Sequence, residues 1–82
     1  MNLRIRYFAS IREALGPGET VATQAATLGA LRDELIARGG AHAEALARGR
    51  AVRLALDQVM TDESAALREG AEVAFFPPVT GG

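Results

Sequence analysis

The sequence predicts a small α+β domain in which a mixed sheet of four to five strands packs against one main helix. Two short stretches, residues 3 to 8 and residues 52 to 56, alternate between apolar and polar side chains as half-buried strands do. Between them, residues 28 to 36 carry apolar side chains at helical spacing. The chain has 82 residues, 49% of them hydrophobic, which suits one modest core.

The amino-terminal part predicts a strand, a short helical turn and a second strand. In residues 3 to 8 every second side chain is apolar, so one face of this strand belongs to the core. Ser10 is expected to cap a helical turn, which the Gly-Pro-Gly segment at residues 16 to 18 ends. Residues 19 to 23 then offer a second short strand that returns beside the first.

The main helix is predicted to begin after Thr27, a typical N-cap residue. Gly39-Gly40 is expected to end it, with Arg38 in the last turn, where a cation suits the helix dipole. The apolar side chains that form its single stripe are Leu28, Leu31, Leu35 and Ile36.

Three more strands are predicted in the last third of the chain. The alternating residues 52 to 56 form one strand, and residues 57 to 58 predict a turn into a short strand at residues 59 to 60. Residues 67 to 70 predict a tight turn before the last strand, residues 72 to 76.

This order of elements is that of the β-grasp or ubiquitin-like fold. In that arrangement the first and last strands lie parallel and side by side at the centre of the sheet, which requires a long crossover. The sequence contains no internal repeat or linker. We therefore expect one β-grasp domain over residues 1 to 76 and an extended carboxyl-terminal tail over residues 77 to 82.

Reactive side chains are scarce. The chain has no cysteine and no lysine, and His42 is its only histidine. A Walker-type phosphate loop and a Schiff-base enzyme both need a lysine, and thiolate metal sites need cysteine. His42 lies in residues 41 to 49, which show no clear pattern, and we expect its imidazole to be solvated. No metal site is predicted.

Charge and hydropathy exclude several classes of partner. The net charge is −1 and the charged residues are scattered, so no basic tract indicates nucleic acid binding. No apolar run approaches the length of a membrane span. Arg4 and Arg6 interrupt any signal-peptide core at the amino-terminal end, so we expect a cytoplasmic protein.

The carboxyl-terminal tail is the most informative segment. Gly81 and Gly82 have no Cβ, so they can lie in a narrow channel and place a terminal carboxylate in another protein's active site. Pro77-Pro78 holds the chain extended, and the six residues from there can reach ~20 Å. The structural alternative is a frayed terminus in which the glycines provide only flexibility.

Reactivity at the tail requires activation from outside the chain. A free α-carboxylate has a pKa of about 3.5 and is anionic at neutral pH, so it repels nucleophiles. The usual solution is a mixed anhydride with a nucleotide. Because this chain has no phosphate-binding loop, the ATP site is expected on a partner.

Strand alternation also predicts a docking patch. Phe8 shares its face of the first strand with Arg4 and Arg6, and Phe76 shares its face with Glu72. Two large aromatic side chains are thus expected on the solvent side of neighbouring strands. Exposed neighbouring aromatics favour a protein-binding surface, and the alternative is a second small core.

The tail and the first strand resemble a known family. Residues 73 to 82, VAFFPPVTGG, closely resemble the carboxyl terminus of the small subunits of molybdopterin synthase, which are ubiquitin-like sulfur carriers of molybdenum cofactor biosynthesis. Residues 7 to 9 and 11 to 13 resemble the first strand and following helix of that family. Residues 27 to 35 and 56 to 58 fall where the family has counterparts.

The resemblance implies a sulfur-transfer cycle in which this chain is a non-catalytic carrier. An E1-like enzyme adenylates the Gly82 carboxylate with ATP, a sulfur donor converts it to a thiocarboxylate, and Gly81 lets the tail thread a tunnel. The carrier itself binds no cofactor. The large synthase subunit then uses the sulfur to build the pterin dithiolene, in a heterotetramer of two large and two small subunits. The residues that this resemblance assigns to partner binding are Phe8, Met60, Phe76, Pro77, Pro78, Val79 and Thr80.

Other functions share the same features. A diglycine end on a β-grasp fold also serves sulfur carriers for thiamine or for a tungsten cofactor. An activated carboxyl captured by a lysine would make the chain a ubiquitin-like protein modifier. A plain interaction domain would use the Phe8 and Phe76 patch and leave the tail idle.

Overall fold

The computed structural model describes residues 1–78, which form a five-stranded mixed sheet with three helices. The strands are β1 (Asn2–Tyr7), β2 (Gly18–Ala22), β3 (Arg53–Leu56), β4 (Val59–Thr61) and β5 (Glu72–Phe76), and the helices are α1 (Ala9–Leu15), α2 (Leu28–Ile36) and α3 (Gly40–Ala45). The strand order is β2-β1-β5-β3-β4, with β1 and β5 parallel and the other neighbours antiparallel. The predicted β-grasp arrangement is confirmed.

The core lies between one face of the sheet, here called the inner face, and the helices. In β1 the burial pattern alternates strictly, as the sequence predicts. Tyr7 and Phe75 stack in the middle of the core with ring centroids 6.0 Å apart. Each such side chain contributes roughly 1.5–3 kcal/mol through burial. The fully buried large side chains are Leu3, Ile5, Tyr7, Leu28, Leu31, Leu35, Leu46, Val73 and Phe75.

The start of α2 is fixed by hydrogen bonds from two sides. The Thr27 hydroxyl accepts a hydrogen bond from the Ala30 N–H at 3.2 Å, which confirms Thr27 as the N-cap. The Leu28 and Gly29 N–H groups donate to main-chain carbonyls in residues 63–65. These contacts satisfy backbone donors that a helix start leaves unpaired, so the loop before β5 locks α2 onto the sheet.

The end of α2 differs from the prediction. The helix ends at Ile36, before Gly39-Gly40, and Arg38 lies beyond its last turn. Both glycines adopt positive φ angles, +75° and +54°, and turn the chain directly into α3. The sequence analysis missed α3 because its six residues, GAHAEA, carry no apolar stripe.

The prediction for Ser10 was wrong. Ser10 lies inside α1, and the N-cap is Phe8, which has extended backbone and no side-chain cap. The Phe8 N–H donates to the Phe75 carbonyl at 3.1 Å, so pairing with β5 continues one residue beyond β1. The sheet therefore decides where α1 begins.

The turn between β3 and β4 is confirmed as a tight hairpin. Asp57 and Gln58 have φ angles of 49° and 69°, the left-handed conformation that two-residue hairpin loops require. The Asp57 carboxylate also accepts a hydrogen bond from the Glu72 N–H at 2.9 Å. This contact joins the hairpin to the start of β5.

Candidate functional site

The stacked pair Phe8 and Phe76 lies on the outer face of the sheet, which is the face turned away from α2. Their ring centroids are 4.7 Å apart and the ring planes are 13° from parallel. Strand alternation predicts this placement, and the parallel pairing of β1 with β5 produces it. Both side chains are half-buried, because each ring covers part of the other.

A shallow apolar groove of about 420 Å³ opens beside the two rings. Met60 contributes to it from β4 and is 52% exposed, unusually open to water for a large apolar side chain. The groove is lined by Phe8, Ala9, Arg53, Met60, Phe76, Pro77 and Pro78. The fold therefore brings together five of the residues that the resemblance assigns to partner binding, and their binding role remains a prediction.

Small residues lie beside the groove at the centre of the outer face. Ala74 on β5 is directly opposite Ala55 on β3, and Ala55 is directly opposite Met60 on β4. The two alanines are only 6% and 3% exposed although they point away from the core. Their low exposure indicates that neighbouring side chains on this face cover them.

The tail begins at the groove. β5 is paired with β1 on one side and β3 on the other, so Phe76 ends a strand that is held at the centre of the sheet. Pro77 is half-buried, Pro78 is exposed, and both line the groove. The predicted site residues Val79, Thr80, Gly81 and Gly82 lie outside the described residues.

Two arginines belong to this surface: the sequence already placed Arg6 on the same face as Phe8, whereas it did not place Arg53 there. The Arg6 guanidinium carbon lies 5.2 Å from the centroid of the Phe8 ring, within cation–π distance. Arg53 is directly opposite Phe76 and lines the groove. The alternation that places Phe8 on the outer face also places Arg6 there, but the position of Arg53 depends on the register of β3 against β5.

A polar cluster formed by Tyr7, Glu19, Arg38 and His42 lies at the junction of β1, β2 and α3. The Tyr7 hydroxyl donates to Glu19 Oε2 at 2.8 Å, and Arg38 Nη1 donates to Glu19 Oε1 at 2.7 Å. Burial, reinforced by the Glu19 carboxylate, raises the pKa of Tyr7 well above its ordinary value. Burial alone would raise the pKa of Glu19, but hydrogen bonds from Arg38, Tyr7 and His42 outweigh it and lower this pKa.

The prediction of a solvated His42 was wrong. Its imidazole is 23% exposed, and Nε2 lies 3.2 Å from Glu19 Oε2. The ring also meets the edge of Tyr7, with centroids 6.3 Å apart and planes at 75°. The helix α3 packs against α1 and α2, and His42 connects it to Tyr7 on β1 and Glu19 on β2.

Residues 1–78 contain neither a cluster of metal-binding side chains nor a membrane-spanning helix. No group of three histidine or carboxylate side chains in this part of the chain is arranged to hold a metal ion. Its longest helix, α2, has nine residues, and none of its helices is long and apolar enough to cross a membrane.

Comparison with known proteins identifies the family. The ThiS family matches residues 5–82. The molybdopterin synthase sulfur carrier subunit of Escherichia coli is 40% identical over 81 residues, which cover 98% of this chain and 99% of that protein.

Solved structures agree with the sequence comparison. SAMP1 from Haloferax volcanii superposes with a TM-score of 0.77 at 26% identity, over the whole of both chains. A chain in the complex of subunits 1 and 2 of molybdopterin-converting factor from Helicobacter pylori gives 0.70 at 26% identity, again over both whole chains. With sequence similarity along nearly its whole length and the same β-grasp fold, this chain belongs to the ThiS family.

Proposed function

We propose that this chain is the sulfur carrier subunit of molybdopterin synthase. The structural observation that carries the proposal is the apolar groove at the start of the tail, where Phe8, Met60 and Phe76 adjoin Pro77-Pro78. One docking event at this groove would seat the carrier and aim its tail into the partner. The match to the ThiS family runs from residue 5 to residue 82, so it includes both the groove residues and the tail.

The reacting group in this proposal is the Gly82 carboxylate. It attacks the α-phosphorus of ATP in an E1-like activating enzyme, pyrophosphate leaves, and an acyl adenylate forms. Sulfur at the oxidation level of sulfide, delivered by a sulfur donor, then attacks the acyl carbon, AMP leaves, and the product is a thiocarboxylate. ATP is bound by the activating enzyme, and the carrier needs no cofactor of its own.

The partner that receives the sulfur is the large subunit of the synthase. The Helicobacter pylori structure is a complex of two subunits of molybdopterin-converting factor, and one of its chains shares the fold of this protein, which supports such a partner. We propose that the large subunit covers the groove and takes the tail into its active site, where the sulfur passes to the pterin precursor. We further propose a heterotetramer of two large and two small subunits, in the cytoplasm.

The fold suits a carrier because the strand from which the tail starts is held rigidly, while the six tail residues are enough to extend into a partner. β5 has a neighbouring strand on each side, so the point where the tail starts is fixed to the core. Six residues beyond Phe76 are enough to span up to ~20 Å. The large subunit therefore has to recognise only the surface around the base of the tail.

The decisive experiment is the intact mass of the protein before and after incubation with an activating enzyme, ATP and a sulfur donor. We expect an increase equal to the replacement of one oxygen by sulfur, localised to Gly82 by fragmentation. An unchanged mass, with an activating enzyme that works on a known carrier, would contradict the proposal.

A second measurement separates the sulfur-carrier pathways from protein modification. The thiocarboxylated protein is mixed with the large subunit and the pterin precursor, and formation of the dithiolene is followed. Thiocarboxylation without dithiolene formation would favour a thiamine pathway. Isopeptide conjugates on cellular proteins would favour a modifier.

A further inference from the structure

The outer face carries cations around its apolar centre. Arg6, Ala74, Ala55 and Met60 form one row across strands β1, β5, β3 and β4. In the next row the stacked Phe8 and Phe76 rings are followed by Arg53. Arg6 and Arg53 therefore lie at opposite corners of a patch whose other members are apolar.

Neither corner arginine makes an ion pair with any residue from 1 to 78, and both side chains are exposed. Of the other arginines, Arg32, Arg38, Arg48 and Arg68 each pair with at least one carboxylate within residues 1–78, whereas Arg4, Arg12 and Arg50 do not. Arg4 shares the outer face but lies directly opposite Glu72. The cross-strand partners of Arg6 within the sheet are Gly18 and Ala74, and Arg53 pairs with Phe76, so none of these partners is acidic.

Docking would bury these two cations. An unpaired guanidinium that loses its water costs several kcal/mol, unless the partner supplies a carboxylate with good geometry. The Phe8 ring already supports the Arg6 guanidinium from one side, which limits its freedom before binding. A partner with an apolar or basic surface at these corners would be rejected.

We propose that Arg6 and Arg53 select an acidic partner surface, in which an apolar side chain fills the groove and a carboxylate faces each arginine. The inference rests on the proposed function and specifies the chemistry of the large-subunit surface that binds this carrier. Apolar contact in the groove then drives binding. The two arginines make binding selective and sensitive to salt.

The test measures the affinity of the carrier for the synthase large subunit of the same organism, at low and at high salt. We expect the double variant Arg6→Ala/Arg53→Ala to lose on the order of 10²-fold in affinity at low salt, with a smaller loss at high salt. The double variant Arg6→Lys/Arg53→Lys keeps the charges but not the bidentate geometry, so it is expected to recover part of the loss.

A matched control removes two charges from elsewhere. Arg38→Ala/Arg48→Ala changes the net charge equally but leaves the outer face intact, and we expect wild-type affinity. Thermal melting of every variant verifies that it is folded.

Three outcomes would overturn the inference. Wild-type affinity of the Arg6→Ala/Arg53→Ala variant would mean that these arginines select nothing. An equal loss in the control would assign the effect to net charge. Failure of the wild-type carrier to bind the large subunit would instead refute the proposed function, and the inference with it.

Discussion

At the scale of single residues, Gly82 carries the atoms that react in the proposed cycle. A Gly82→Ala variant adds one methyl group beside the reacting carboxyl and leaves every side chain of the core unchanged. We expect normal thermal stability and a loss of sulfur transfer of about 10²-fold, because a small misplacement of a reacting group has that effect. The measurement is single-turnover dithiolene formation by purified, thiocarboxylated variant, and wild-type turnover would refute the expectation.

Phe76 is the residue that joins the patch to the tail. Because it is half-buried and stacks on Phe8 outside the core, Phe76→Arg should weaken binding of the large subunit with little loss of melting temperature. The control is Phe75→Ala, which empties a fully buried site and should cost about 3–5 kcal/mol. A large fall in the melting temperature of Phe76→Arg would show that Phe76 belongs to the core.

Gly18 is required by close contact between β2 and β1. A Cβ at this position would lie 2.3 Å from the Ile5 carbonyl oxygen, which is part of the backbone and has little room to move. Gly18→Ala should lower the free energy of unfolding by about 1–3 kcal/mol. Gly49→Ala is the matched control, because a Cβ there meets nothing within 4 Å. Equal urea-denaturation midpoints for the two variants would contradict this prediction.

At the scale of elements, one buried arginine connects α2 to the loop after α3. Arg32 is 4% exposed and donates to the main-chain carbonyls of Leu46, Ala47 and Arg50 at 2.7–3.1 Å. It also pairs with Glu63 at 2.9 Å. This loop contains no regular structure, so the guanidinium supplies the donors that its buried carbonyls need.

Replacing this arginine tests that dependence. Arg32→Met keeps much of the apolar stem and removes all donors, so we expect a loss of about 2–4 kcal/mol in the free energy of unfolding. Arg32→Lys keeps the charge but has fewer donors, so its free energy of unfolding should lie between those of the wild type and Arg32→Met. Urea denaturation measures both variants, and an Arg32→Met protein as stable as wild type would mean that water satisfies the loop carbonyls.

At the scale of the whole molecule, the polar clusters limit the pH range of stability. Hydrogen bonds to arginines hold the pKa of Glu63 below its ordinary value, and the net effect on the pKa of Glu19 is in the same direction. A lowered pKa contributes stability above the unfolded value, about 4.3, which is lost as pH falls through the folded pKa. For Tyr7 the pKa is raised, so its contribution is complete below about pH 10 and declines above that value.

The melting temperature should therefore be highest between about pH 5 and pH 10 and fall on both sides. Glu19→Gln should lower the maximum melting temperature. It should also make the decrease at acidic pH shallower, since the variant has no carboxylate at that position to protonate. Glu13→Gln is the control, because Glu13 is an exposed residue of α1 with no ion pair among residues 1–78. If Glu19→Gln leaves the decrease in melting temperature at acidic pH unchanged, the Glu19 cluster is not the cause of that decrease.

The sequence alone was sufficient for the strands, for α2 and for the tail hypothesis. Alternation in residues 3 to 8, helical spacing from Leu28 and the turn at Asp57-Gln58 are local patterns, set by the periods of the strand and helix and by turn chemistry. The same alternation placed Phe8 and Phe76 on the outer face. The role proposed for Gly82 rests on the residue types of the tail and on the family resemblance, neither of which needs the fold to be recognised.

Only the tertiary structure decided the features that depend on contacts between distant segments. The helix α3 depends on packing against α1 and α2, the partial burial of His42 depends on its contacts with Glu19 and Tyr7, and the start of α1 depends on pairing between Phe8 and β5. Arg53 lies opposite Phe76 at the groove because β3 pairs with β5 in one particular register, which the local pattern does not specify. Local periodicity determines the faces of each element, whereas the free energy of packing determines which faces meet.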